Sequence, residues 1–418
     1  MELQSVCLNW NRSGTTTPLR AWAETKDHVG VLIIFSEEVV FISNGMLAKN
    51  YIRQLDLFCR HYASLDIWKD DKLAMQYNIV SASLLNFLPE IDVNRHESIY
   101  RSVLLHQRLS VFEQDRPAIL ENVCMENLAP GTWAAIKQRP AIICTFHLGS
   151  YRLINLLLVK YNLPFSLVIA KSVIKAQGGT YAALYDQISG GNNNGDFNLI
   201  DAEEPTAAIQ MLRSLKKGKS LVVYVDGNTG SGSAARQKEN SCPLSFLHQQ
   251  ISVRKGIGFL AHASNTPVLP VICYRKSLTA IALKFHDIIY PQQNTDRNTF
   301  AQTLMEQLYD FASPLIRAYP EQWEAWLYVH KVANIINPVA TTREPKHLQQ
   351  SDNLVFNDRL FGLFKTSSAH YLFNKASYMS YPIDKHLYAL LQNARIEKNI
   401  IDVNLLSELY KHSAIITT

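Results

Sequence analysis

Short apolar runs alternate with amphipathic helical patterns from about residue 138 onward, and this alternation restricts the fold more than any other feature of the sequence. Such alternation is typical of an α/β sheet that is covered by helices. Catalytic groups in these folds tend to lie where a strand ends and a loop begins. The predicted strands are Ala141–Phe146, Ser166–Ala170, Ser220–Val225 and Val268–Cys273.

The chain can be divided into four parts by its patterning. Residues 1–120 show mainly helical apolar spacing after an extended segment, Val31–Ile42, and residues 121–337 contain the α/β core. Residues 338–353 are polar, contain two prolines and lack apolar periodicity, which predicts a linker. Residues 354–418 show three short strands followed by two helices, which predicts a small α+β domain.

The composition is that of an ordinary globular protein. With 47% hydrophobic and 18% charged residues, the chain is not expected to be disordered as a whole. The formal net charge of +5 is spread along the chain, which permits an anionic partner such as a carrier protein or a membrane surface without requiring one. We find no basic arm, zinc finger or aromatic RNA-binding signature, so we do not expect nucleic acid as a partner.

Cysteine and histidine spacing bears on the compartment and on metal binding. The six cysteines include no Cys-x-x-Cys pair, so we expect a reducing, cytoplasmic location and no disulfide framework. The 13 histidines show no paired ligand spacing, so we expect no metal. Neither a secretory signal nor an apolar run approaching the ~20 residues of a membrane span is visible, which leaves at most peripheral membrane association.

A histidine directly follows the first predicted strand of the core. His147 lies in the run Cys144–Arg152, and Gly149 would let the backbone turn into the helix that follows. Histidine can act as a general base because its ordinary pKa lies near neutral pH. A structural histidine is the alternative at such a position.

Four landmarks, taken in order, resemble those of the lipid A late acyltransferases, which belong to the lysophospholipid acyltransferase superfamily. The resemblance covers roughly residues 80–331. The landmarks are the block Ile142–Arg152 around His147, the strand that leads to Asp226, the stretch Pro243–Val271 with Arg275 after it, and Tyr319–Trp326, which contains Pro-Glu-Gln-Trp.

This resemblance implies an acyltransferase-type sheet flanked by helices. It also implies an enzyme that moves an acyl group from a thioester, carried by acyl carrier protein or coenzyme A, to a hydroxyl or an amine. The thioester is a co-substrate, so no cofactor is expected. In the family a histidine takes the proton of the acceptor, and His147 occupies that position.

The acid that closes the family's His-x4-acid block is replaced by Arg152. A carboxylate beside a histidine fixes its tautomer and stabilises the imidazolium, whereas an arginine would disfavour the imidazolium and weaken the base. In one reading Arg152 binds an anion, either the donor's phosphate or a substrate carboxylate, and Asp226 supports His147. Alternatively, His147 acts alone on an amine, or the site is inactive and the fold only binds. Thioester hydrolysis is a further alternative.

Other cations are candidate ligands for the donor. A helix predicted to begin near Ser252 would present free backbone N–H groups, and Arg254 and Lys255 beside them would suit a phosphate; a solvated helix end is the alternative. Lys171 follows the second predicted strand, where the family often carries a basic residue, and Arg275 follows the fourth.

The segment 354–418 extends beyond the part that resembles the acyltransferases. Its strand and helix order is similar to that of small winged-helix modules that recognise leader peptides by adding the peptide as a strand. This similarity implies a peptide or carrier-bound acceptor in place of lipid A. A structural cap or a dimerisation element is the alternative.

Overall fold

A computed structural model of the 418-residue chain divides into two compact units, each assembled from segments that are distant in sequence. Unit 1 comprises Met1–Ser64, Arg101–Leu244 and Ser252–Ala325; unit 2 comprises Leu65–Tyr100, Ser245–Ile251 and Trp326–Thr418. The residues that the structure describes are 30–35, 38–43, 45–188, 197–227, 240–292, 294–339, 353–393, 395–396 and 401–417. Most of the predicted linker 338–353 lies outside them.

Two N-terminal strands and a central sheet form the β-structure of unit 1. The N-terminal strands, β1 (Gly30–Phe35) and β2 (Glu38–Ser43), pair antiparallel. Among the described residues, seven strands form the central sheet: β3 (Val123–Glu126), β4 (Ile142–Thr145), β5 (Phe165–Ile169), β6 (Phe197–Asp201), β7 (Ser220–Tyr224), β10 (Val268–Arg275) and β11 (Ile281–Phe285).

The central sheet has the order β3-β11-β10-β4-β7-β5-β6. Strands β10, β4, β7, β5 and β6 run parallel to one another, while β11 turns back antiparallel to β10 and pairs parallel with β3. Every residue of β4, β5 and β10 is buried, as expected for strands covered on both faces by helices. The carboxyl ends of the parallel strands therefore share one edge of the sheet.

Helices flank this sheet. Residues 146–152 form the loop that carries His147, called the His147 loop. Helix α5 begins right after it, and six consecutive residues of this helix, Leu153–Leu158, are buried. The helices assigned wholly or mainly to unit 1 are α1 (Gly45–Ala63), α3 (His96–Glu113), α4 (Thr132–Gln138), α5 (Leu153–Lys160), α6 (Lys171–Ile188), α7 (Ala207–Lys216), α8 (Gly256–Ser264) and α9 (Arg297–Ala318).

The structure confirms the predicted α/β fold, a mostly parallel sheet flanked by helices. The four predicted core strands occur as β4, β5, β7 and β10, with each end within two residues of the prediction. Among the described residues, no helix combines the length and the apolar character needed to cross a membrane.

The helix predicted to begin near Ser252 begins at Gly256 instead, so the prediction for Ser252–Lys255 was wrong. Residues Gln249–Arg254 form β9, which lies between β8 (Ser241–Phe246) and β12 (Ala333–Asn334) in a small sheet. The reason is the two-residue period: Gln249, Ile251 and Val253 are buried, and the residues between them are more exposed.

Unit 2 combines one early helix with the C-terminal strands and helices. In α2 (Asp71–Phe87), the side chain of Asn78 donates to Leu363 O at 3.1 Å and that of Asn86 to Lys375 O at 2.8 Å. The other elements are β13 (Leu354–Phe356), β14 (Phe361–Lys365), β15 (His370–Asn374), β16 (Met379–Ile383), α10 (Lys385–Leu391), α11 (Val403–Lys411) and β17 (Ile415–Thr417).

The strands of unit 2 form antiparallel sheets. Strands β14, β15 and β16 make a three-stranded sheet, and β13 pairs with β17, which the sequence pattern did not indicate. The similarity of this segment to a winged-helix module stays a prediction.

A lysine is buried inside unit 2. Lys375 is 2% exposed, and its Nζ donates to Asp358 O at 2.6 Å. Burial lowers the pKa of Lys375 from 10.5 to about 8, although Asp358 opposes the shift. The buried charge of Lys375 therefore destabilises the folded chain at neutral pH.

We expect the free energy of unfolding to rise between about pH 8 and 10.5, because the unfolded chain binds the Lys375 proton in that range and the folded chain does not. Lys375→Met removes the titrating amine, so it should abolish this rise, which amounts to about 3 kcal/mol. Urea unfolding at several pH values measures the rise in each protein. Lys365→Met, at an exposed lysine of β14, is the control; equal slopes in all three proteins would contradict the prediction.

Candidate functional site

His147 and Asp226 meet at the carboxyl edge of the central sheet. Thr145, the last residue of β4, pairs in parallel register with Tyr224, the last residue of β7. His147 and Asp226 each follow two residues after the end of their strand. His147 Nδ1 lies 2.8 Å from Asp226 Oδ1. The two residues are 79 positions apart in sequence, so the strand register is what brings them together.

The Asp226 carboxylate accepts several hydrogen bonds. Besides the imidazole, the backbone N–H of His147 approaches Oδ2 at 3.0 Å and Oδ1 at 3.2 Å, and Trp323 Nε1 donates to Oδ2 at 2.8 Å. The side chain of Asp226 is 1% exposed. Donors from two segments of the chain, at His147 and at Trp323, therefore fix the orientation of the carboxylate that faces the imidazole.

The imidazole of His147 is more basic than an ordinary histidine. Burial acts to lower its pKa, but Asp226 and, to a smaller extent, Glu324 more than offset burial, so the pKa lies above 6.5. Arg152 lowers the pKa, as the sequence indicated, but its contribution is outweighed. With Nδ1 on the carboxylate, Nδ1 carries the ring proton and Nε2 presents the lone pair.

Two tyrosines hold the plane of the imidazole. Tyr224 stacks on His147 with ring centroids 4.6 Å apart and an interplanar angle of 29°, and Tyr151 meets it edge-on at 4.8 Å and 76°. The Tyr151 hydroxyl donates to Glu324 Oε2 at 3.1 Å. The His147 side chain nevertheless remains 19% exposed, so the ring is partly open to solvent.

Arg152 lies next to the dyad formed by His147 and Asp226, but its side chain points to other groups. Its Nη1 donates to Gln114 Oε1 at 2.7 Å and to the Tyr181 hydroxyl at 2.5 Å. Burial alone would lower the pKa of Arg152, but Tyr151 and Tyr181 are among the neighbours that raise it above the ordinary value, so the guanidinium stays charged. Asp226, and not residue 152, provides the carboxylate beside His147.

The other predicted donor-binding cations lie at separate element ends. Lys171 begins α6 and pairs with Glu204 at 3.3 Å. Arg254 ends β9, and Lys255 caps α8. In the described part of the chain, no group of three or more His, Cys, Asp or Glu side chains is arranged to hold a metal ion.

Arg275 occupies a place that its predicted donor-binding role did not anticipate. It is 1% exposed and forms an ion pair with Glu113, which is fully buried. Its Nη2 also donates to Ser150 Oγ at 2.9 Å, and the Tyr51 hydroxyl donates to Glu113 at 2.6 Å. Without Arg275, the buried carboxylate of Glu113 would lose its ion-pair partner in an apolar interior. We therefore assign Arg275 to support of the His147 loop, which it contacts through Ser150.

Residues 322–324, for which the sequence suggested no individual role, run along the His147 loop. Glu324 N donates to His147 O at 2.9 Å, and Gly149 N donates to Gln322 O at 3.1 Å. Gly149 has φ +56°, and a Cβ there would lie 3.0 Å from Tyr274 Cα. The Pro-Glu-Gln-Trp block marked these residues in the sequence as part of a landmark, but the sequence could not show that they contact His147 and Asp226.

Three comparisons with known proteins bear on this site. Residues 134–331 match the family model described as bacterial lipid A biosynthesis acyltransferase. The crystal structure of the 1-acyl-sn-glycerophosphate acyltransferase PlsC from Thermotoga maritima covers 59% of this chain and 95% of its own, at 14% sequence identity and a TM-score of 0.32. No curated protein matches the chain.

We expect Asp226→Asn to lower the pKa of His147 below its wild-type value, because the carboxylate that offsets burial is lost while burial and Arg152 remain. An NMR titration of the His147 ring nitrogens measures the shift without any substrate. Asp201→Asn, which removes a carboxylate at the end of β6, is the control. An unchanged His147 pKa in Asp226→Asn would contradict the assigned pairing.

Proposed function

We propose that this chain, whose residues 134–331 carry a domain of the bacterial lipid A biosynthesis acyltransferase family, transfers an acyl group from a thioester to an amine or a hydroxyl. The observation that carries the proposal is the hydrogen bond between His147 Nδ1 and a buried Asp226 carboxylate at the edge of the sheet. This arrangement provides an oriented general base in a partly open position, which acyl transfer requires.

The proposed reaction uses His147 Nε2 as the base. Nε2 takes the proton of the acceptor amine or hydroxyl while the acceptor's N or O attacks the thioester carbonyl. The tetrahedral intermediate then collapses, the C–S bond breaks, and the leaving thiolate takes the proton from the imidazolium. Asp226 stabilises the imidazolium between the two proton transfers and keeps Nε2 directed toward the acceptor.

Arg152 is proposed to bind an anionic group of a substrate, either a phosphate of the donor or a carboxylate. Its guanidinium remains charged near the dyad, and the carboxylate that His147 needs already comes from Asp226. The lost acid of the family's block is therefore compatible with activity. A guanidinium can bind a phosphate or a carboxylate through two parallel hydrogen bonds, which is the role proposed for Arg152.

The donor in this proposal is acyl carrier protein or coenzyme A, and the reaction takes place in the cytoplasm. Lys171, Arg254 and Lys255 are proposed to contribute cations toward the donor; Arg254 and Lys255 are each partly exposed. The acceptor is proposed to be a peptide, a carrier-bound intermediate or a small molecule. Residues 354–418 are the proposed acceptor-binding domain, on the strength of their small antiparallel sheet.

We expect His147→Gln to slow acyl transfer severely, because glutamine cannot accept the acceptor's proton at neutral pH. Incubation with acyl carrier proteins and coenzyme A thioesters of several chain lengths, in the presence of amine and hydroxyl acceptors, is followed by mass spectrometry. Loss should exceed about 100-fold for His147→Gln. His286→Gln, on a histidine that contacts Asp287 O away from the dyad, should retain wild-type turnover.

The products separate the alternative functions. Free acid as the sole product would replace the transferase with a thioester hydrolase. Thioester binding without turnover, equal in the wild type and in His147→Gln, would overturn the proposal in favour of a binding protein.

A further inference from the structure

The segment after helix α9 lies against the His147 loop as an added antiparallel strand. Leu148 and Trp323 form an antiparallel bridge, and backbone hydrogen bonds join the flanking residues on both sides. This pairing fixes the position of the Trp323 Cα relative to the loop that presents His147.

The indole N–H of Trp323 reaches one particular oxygen. Its Nε1 lies 2.8 Å from Asp226 Oδ2, while Oδ1 of the same carboxylate faces His147 Nδ1 at 2.8 Å. Both Trp323 and the Asp226 side chain are 1% exposed. A donor on Oδ2 restricts rotation of the carboxylate about its Cβ–Cγ bond, and that rotation determines where Oδ1 points.

An indole N–H that is shielded from solvent does not have to find a partner in this chain, as the half-buried Trp133 shows. Trp133, also in unit 1, packs against Tyr161 and Phe285, and within the described structure its Nε1 has no hydrogen-bond partner. Burial alone therefore does not explain why the Trp323 N–H lies on the carboxylate of the dyad. The Trp133 side chain also provides a matched control.

We infer that Trp323 is a positioning residue, which holds the Asp226 carboxylate in the orientation that keeps His147 Nδ1–H bound and Nε2 directed outward. The inference rests on the proposed acyl transfer for its kinetic consequence but not for its geometric one. Without the indole donor, Oδ2 retains the backbone N–H of His147 at 3.0 Å, and the carboxylate gains rotational freedom. The contact between Oδ1 and the imidazole then weakens.

The test replaces Trp323 with phenylalanine, which removes the donor, and with β-(3-benzothienyl)alanine, which keeps the indole shape but has sulfur in place of N–H. Both variants should lower the His147 pKa, measured by ¹⁵N NMR, because burial is then offset less completely. They should lower kcat on the order of tenfold, with KM unchanged within about twofold. The acidic limb of the kcat profile should shift to lower pH.

Trp133→Phe is the control, and it should change neither the His147 pKa nor kcat. A wild-type His147 pKa in the folded benzothienylalanine variant would overturn the inference, whether or not the chain transfers acyl groups. A lowered pKa in a chain that shows no transfer would support the positioning role and count against the proposed function. The NMR titration thus separates the two failures.

Discussion

The site depends on the buried carboxylate of Asp226, which two other segments of the chain orient through His147 and Trp323. Parallel pairing of β4 with β7 places Asp226 beside His147, and the segment after helix α9 adds the indole of Trp323. Gly149 allows the loop that carries His147 to lie close to Tyr274, because a Cβ on residue 149 would lie 3.0 Å from Tyr274 Cα. Its φ of +56° also favours glycine at this position. The contacts that hold the sheet and the His147 loop together therefore also set the geometry of the His147–Asp226 dyad.

The charges around the imidazole oppose one another. Burial and the Arg152 guanidinium favour a neutral ring, whereas Asp226 and Glu324 favour the imidazolium, and the carboxylates prevail. Acyl transfer needs both forms, since the base must accept a proton and return it to the leaving group. Position 152 supplies no carboxylate; the one beside His147 comes from Asp226, which follows the neighbouring strand β7.

The sequence was sufficient for the parts of this arrangement that follow from strand order. Apolar runs located β4, β5, β7 and β10, and the position of Asp226 after a neighbouring strand suggested its proximity to His147. The contacts of Arg275 with Glu113 and of Trp323 with Asp226 could not be predicted, because they join residues 162 and 97 positions apart that share no periodicity. The start of helix α8 was predicted about four residues too early, because the few residues at the end of β9 fit both periods until the pairing partner of the strand is known.

Whether Asp226 acts through the imidazole is tested by a double-mutant cycle on the rate of acyl transfer, with His147→Gln, Asp226→Asn and both together. If Asp226 acts through the imidazole, the double variant should lose no more activity than His147→Gln alone, because the carboxylate has nothing left to orient. Losses that multiply, as for two independent groups, would contradict the central claim that these two side chains form one functional unit.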